Sequence, residues 1–125
     1  MEEQLARRID LFKSSDVVDS DLVMFVHAEL EGMAASGLTV TDDTVGTFAT
    51  HLMMALQRCR TGETLDPSLN VEAVAAELQE FSAAVQAATQ LAERARRDHR
   101  IELPEGETLF VAMHLAAMSM GRDGR

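Results

Sequence analysis

The stretch Thr50-His51-Leu52-Met53-Met54-Ala55-Leu56-Gln57-Arg58 sets an imidazole in an otherwise apolar run and closes on an arginine. Around it Val45, Phe48, Leu52, Leu56 and Cys59 recur at helical spacing. Thr41-Asp42-Asp43 supplies a cap and an acidic first turn, and Gly62 supplies a terminator. The stretch is thus the middle of a long amphipathic helix, and His51 and Arg58, two turns apart, share one of its faces. A second run of the same kind, Phe110-Val111-Ala112-Met113-His114-Leu115-Ala116-Ala117-Met118, carries His114 near the C-terminus.

Working outward, Leu5, Ile9 and Phe12 predict a first helix over 2–13, broken by Ser14-Ser15-Asp16. Asp19 or Ser20 then caps a helix whose stripe is Leu22, Val26, Leu30 and Met33 and whose end is Gly37. After the central helix, Thr64 to Asn70 reads as a long turn around Asp66-Pro67-Ser68. Asn70 caps a pattern of Val71, Val74, Leu78, Phe81, Val85, Ala88 and Ala92 that reaches Asp98 without Pro or Gly. A helix of that length is expected to break, here near Glu80. Pro104 disfavours helix at Leu103, so Ile101-Glu102-Leu103 is expected to be extended, and Pro104 suits the first position of a last helix running to about Met120. No period-two strand pattern is present. The expectation is an all-α compact bundle of five to six helices, with one domain over 1–120 and a C-terminal tail over 121–125.

Alanine, leucine and eight methionines supply most of the apolar mass, while aromatics are 4% and Trp and Tyr are absent. That mixture favours helices. The formal charge of −10 argues against a broad nucleic-acid surface, which needs clustered Lys and Arg, and no direct nucleic-acid binding by this chain is expected. The single cysteine, Cys59, excludes an intrachain disulfide and suits a reducing compartment. Met1-Glu2-Glu3 opens no signal-peptide pattern, and no apolar run approaches the ~20 residues of a membrane span. A cytoplasmic protein without membrane contact is expected. The histidines show none of the spacings of a zinc site, so neither a metal nor another cofactor is expected.

Three segments, in order, resemble the PTS regulation domain (PRD) of bacterial sugar-utilisation regulators. They are Leu5-Ala6-Arg7-Arg8-Ile9-Asp10-Leu11-Phe12, then Phe48-Ala49-Thr50-His51-Leu52-Met53-Met54-Ala55-Leu56-Gln57-Arg58, then Leu103-Pro104-Glu105-Gly106-Glu107-Thr108-Leu109-Phe110-Val111-Ala112-Met113-His114-Leu115. The resemblance implies a five-helix domain that forms a homodimer. It also implies a regulatory role, without catalysis, in which histidines accept phosphoryl groups from the phosphocarrier protein HPr or a sugar-specific enzyme II B component. His51 and His114 match the family's acceptor histidines, and Arg58 matches an arginine frequent after the first. Such domains usually occur as tandem pairs behind an RNA-binding or helix-turn-helix module. This sequence carries one copy and neither module, so it is expected to be either a free-standing regulator that modulates transcription regulation through dimerisation or a partner, or a fragment of a longer one.

The chemistry suits the residues. A neutral imidazole, with an ordinary pKa near ~6.5, is a competent nucleophile toward phosphorus, and phosphoryl transfer depends mostly on positioning and charge. Arg58 is expected to pair with phosphate on His51, and Glu107, two turns before His114, to orient that ring. Arg94, Arg96, Arg97 and Arg100 form the one basic cluster and are candidates to answer the new charge. The bland alternatives are specific too. A lone histidine on an apolar helix is commonly structural; His27 reads as packed or half-exposed, His99 as a solvated residue at a helix end, and Cys59 as a small apolar residue. Met53, Met54, Met113 and Met118 read as core or as a partner surface. Two other functions compete: a histidine phosphotransfer relay, which normally has Lys and Gly soon after its histidine, and a plain dimerisation module.

Overall fold

In the computed structural model, which describes residues 1–63 and 70–123 and side chains as far as Ser119, the chain forms six α-helices and no strand among the described residues. Helix α1 (Glu3–Ser14) starts on Glu2, whose carboxylate accepts from the backbone N–H groups of Gln4 and Leu5. The same carboxylate accepts from the N–H of Asp42, so one side chain caps two helix starts. Helix α2 (Ser20–Ala35) buries Leu22, Val26, Leu30 and Met33 as its spacing predicts, and also Val23 and Phe25, because it is packed on more than one side. Asp19 precedes α2 without capping it by its side chain. Its carboxylate pairs instead with Arg60, 3.1 Å away.

Helix α3 (Asp42–Thr61) is the central element. Thr41 and Thr44 form a reciprocal capping box at its start, and Gly62 ends it in the left-handed conformation at φ 80°. Helix α4 (Val71–Glu77) is capped by Asn70 and buries none of its residues. A 3₁₀ turn over Leu78–Glu80 separates it from α5 (Ser82–His99), which places the expected break near Glu80. Arg100, with φ 57°, ends α5 in place of a glycine. Helix α6 is Glu105–Asp123; Pro104 precedes it and its carbonyl accepts from the N–H groups of Glu107 and Thr108. The helix therefore begins one residue later and extends three residues further than its sequence pattern suggests. The turn expected over Thr64–Asn70 lies, up to Leu69, outside the described residues.

Helices α1, α2 and α3 pack on one another, and α5 pairs extensively with α6, on which α4 also rests. The two groups meet through α2 with α5 and α3 with α6. A continuous core runs through both and includes Leu5, Leu22, Val26, Leu30, Phe48, Leu52, Met53, Leu56, Leu91, Ile101 and Val111. Burial of that shared apolar surface closes the two groups as one unit. Among the described residues no helix is long and apolar enough to cross a membrane.

Candidate functional site

Both histidine helices contribute to the α3–α6 contact. Phe48 and His51 lie one turn apart on α3, and Glu107, Phe110 and His114 occupy the i, i+3 and i+7 positions of α6. These stripes face each other. The ring of His51 lies on Phe110 with centroids 4.1 Å apart, and that of His114 is stacked on Phe48 at 4.3 Å and 7°. Phe48 and Phe110 are 6.3 Å apart, so two phenylalanine rings connect the histidines, with no ring contact between the histidines themselves.

The two imidazoles differ in environment. The His51 side chain is 40% exposed, and its Nε2 lies 2.7 Å from Glu107 Oε1, a carboxylate only 17% exposed. His114 is half-buried. Its Nε2 is sealed from solvent with no hydrogen-bond partner, an uncommon state for a buried polar atom. Burial pushes the His114 pKa below its ordinary value, and a backbone hydrogen bond with Thr44 opposes that shift.

Glu107 is therefore bonded to His51 across the helix contact and not to His114 on its own helix. Helical spacing put Glu107 and His114 on one face, but the carboxylate reaches across to the ring on α3. Arg58 is exposed and forms no ion pair among the described residues. The arginine cluster is not an open basic patch: Arg94 forms a fork with Glu29 at 2.6 and 2.7 Å, Arg96 pairs with Glu93 and Arg97 with Asp98. His99 is not a solvated helix end. Its side chain is 18% exposed, 3.2 Å from Asp21 and packed edge-on against Phe25. His27 is half-buried near Glu31, as expected. Met53 is buried, Met54 and Met118 half-buried and Met113 exposed. Burial, and secondarily the Glu107 carboxylate, pushes the Cys59 thiol up in pKa, away from reactive thiolate. No group of His, Cys, Asp and Glu suited to a metal occurs among the described residues.

Sequence reading passed over the second contributor on each helix. Phe48 sits three residues before His51 and Phe110 four before His114, so each histidine already had an aromatic ring one turn away. It also missed Arg8, which donates Nε to Asp42 at 2.7 Å and NH1 to Thr50, the residue before His51, at 3.0 Å. The signal was Gly46, in mid-helix: a Cβ there would lie 2.6 Å from Asp42 Oδ1 and 2.9 Å from Arg8 Nε.

A family model described as PRD domain matches residues 33–118, more than two-thirds of the chain. The chain belongs to the PRD domain family. PRD domains are regulatory domains responsive to the sugar phosphotransferase system, not a catalytic family. The matched stretch contains both histidine segments, Glu107 and Arg58, and begins late in α2, after the Leu5–Phe12 segment. Among curated proteins and among solved structures, none matches significantly.

Proposed function

We propose that this PRD domain is a cytoplasmic, phosphorylation-controlled module in which His51 accepts a phosphoryl group from phosphorylated HPr or a sugar-specific enzyme II B component. The observation that carries the proposal is the state of His51: half-exposed, oriented by a carboxylate, and within the matched PRD segment. An acceptor needs access and alignment, and this ring combines the two. His114 is the second acceptor in this reading, but the sealing of its Nε2 makes it dependent on movement of α6 away from α3. The added charge of roughly −1.5 to −2 enters where α3 meets α6. Arg58, on the His51 face of α3, pairs with it. The resulting change is passed on through a homodimer or a separate partner.

Incubation with phosphorylated HPr, followed by mass mapping of phosphohistidine, tests the reading. Wild type should carry phosphate mainly on His51, and His51→Ala should lose most of the label. His51→Ala combined with His114→Ala should lose all of it while folding normally. Undiminished labelling of the double variant would place the acceptor elsewhere. Labelling by a phosphorylated receiver domain but not by HPr would favour the phosphotransfer relay.

A further inference from the structure

Resting on His51 as acceptor, we propose that Glu107 is a positioning residue that assigns the nucleophile to one ring nitrogen, so that His51 takes phosphate on Nδ1 and not on Nε2. A carboxylate only accepts hydrogen bonds, so at 2.7 Å from Glu107 Oε1 the proton must sit on His51 Nε2. In the neutral ring the lone pair then belongs to Nδ1. That nitrogen makes no hydrogen bond among the described residues and, unlike His114 Nε2, is not a sealed, unpartnered atom. The ring is held twice from α6: Glu107 fixes its Nε2 edge, and Phe110, one turn later, supports its face at 4.1 Å. Glu107 is mostly buried in the first turn of α6, so the fixing group is itself fixed.

In the transfer step the Nδ1 lone pair forms the bond to phosphorus. The phosphorus–nitrogen bond of the donor phosphohistidine breaks, and its electron pair returns to the donor ring. The product keeps Nε2–H on Glu107, and the positive charge of its ring is balanced by the carboxylate. Attack through Nε2 would first break the Glu107 bond and then set a phosphate against that carboxylate, two anions at hydrogen-bond distance. Retaining the proton on Nε2 also keeps the ring a good leaving group, so phosphate on Nδ1 is readily passed on or lost.

Nitrogen-15 NMR of the unphosphorylated protein reads the tautomer, and phosphorus–nitrogen coupling after phosphorylation reads the bonded atom. Phosphorylated HPr and phosphoramidate, a donor too small to need a docking surface, serve as parallel phosphate sources. The Nε2–H tautomer and phosphate on Nδ1 are expected with both. Glu107→Ala, checked for fold by circular dichroism, should shift the Nδ1-to-Nε2 product ratio severalfold toward Nε2. An Nδ1–H tautomer in the wild type, phosphate on Nε2, or a ratio unmoved in a folded Glu107→Ala would each overturn the proposal. Absence of phosphate on His51 from both donors would refute the acceptor reading, and with it the bond at Nδ1. The tautomer would still show whether Glu107 orients the ring.

Discussion

Replacing His114 by Leu tests whether its ring is shut into the α3–α6 contact. Loss of the orphaned buried nitrogen removes a penalty of about 1–3 kcal/mol, while loss of the stack on Phe48 costs about 0.5–1.5 kcal/mol. Loss of the Thr44 hydrogen bond offsets up to about 1 kcal/mol more. At neutral pH the variant should therefore lie between about 2.5 kcal/mol more stable and about 1.5 kcal/mol less stable than wild type. The sharper consequence is in acid. The folded pKa of His114 lies below the ordinary 6.5, so below that pH the unfolded chain binds more protons than the folded one. Stability then rises with pH, and it is lost as pH falls through about 6.5, levelling once the folded ring also protonates. If the folded ring stayed neutral throughout, the loss between about pH 7.5 and about pH 5.5 would reach a ceiling of about 1.4 kcal/mol. Urea unfolding of both proteins at the two pH values measures the difference, and subtraction cancels the other histidines. The variant should lose less on acidification than wild type. Equal losses, or a variant about 3 kcal/mol less stable at neutral pH, would mean that the nitrogen has a partner and that the sealed-ring reasoning is wrong.

Three further substitutions address the surrounding frame. Gly46→Ala should gain about 1 kcal/mol of helix propensity only in an Arg8→Ala background, because in wild type the new Cβ displaces the Arg8–Asp42 pair; additive effects in urea unfolding would refute the close approach. Arg60 holds the Asp21 carboxyl at a pKa of about 2, against an ordinary 3.8, so this pair contributes stability above about pH 3.8 that is lost as pH falls toward about 2. Asp21 is half exposed and solvent screens the pair, so Arg60→Ala should cost only about 1 kcal/mol at neutral pH and flatten that acid arm; an unchanged acid profile would show that the pair is not formed. Arg58→Ala should change stability by less than about 0.5 kcal/mol, since the side chain is exposed and forms no ion pair among the described residues, while shortening the lifetime of phosphate on His51; an unchanged lifetime would remove Arg58 from the site.

The helices were legible because periodicity and caps report local physics. Thr41, Asn70, Gly62 and the break near Glu80 each act within one turn of chain. Cross-helix pairing was not legible, since it depends on how far one helix is rotated against another. Glu107 shares a face with His114, yet its carboxylate bonds to His51, a ring 56 residues away in sequence. His99 was read from its flanking arginines as a solvated end, but the close of α5 brings it against Asp21 and Phe25 of α2. The site histidines themselves stood out because an imidazole interrupts an apolar stripe, a signal that needs no tertiary information.

The polar ties around α3 are distributed unevenly. Toward α1, Arg8 bonds to Asp42 and Thr50, and Glu2 accepts from the Asp42 N–H. Toward α2 and its cap, Arg60 pairs with Asp19 and Asp21, and Gln57 accepts from the Asp19 N–H. Toward α6, the side-chain hydrogen bonds among the described residues are only His51 to Glu107 and His114 to the Thr44 backbone. The rest of that contact is apolar packing, which is non-directional and tolerates a shift of one helix on another better than a set of fixed ion pairs does. Charge added at His51, as the proposed function requires, would therefore act on the face of α3 with the fewest polar restraints. In the proposed function the three-helix group stays together while α6, which carries His114, moves away from Phe48 of α3. In that proposal His51, whose side chain is 40% exposed, takes phosphate first, and His114, whose Nε2 is sealed, follows only after α6 has moved.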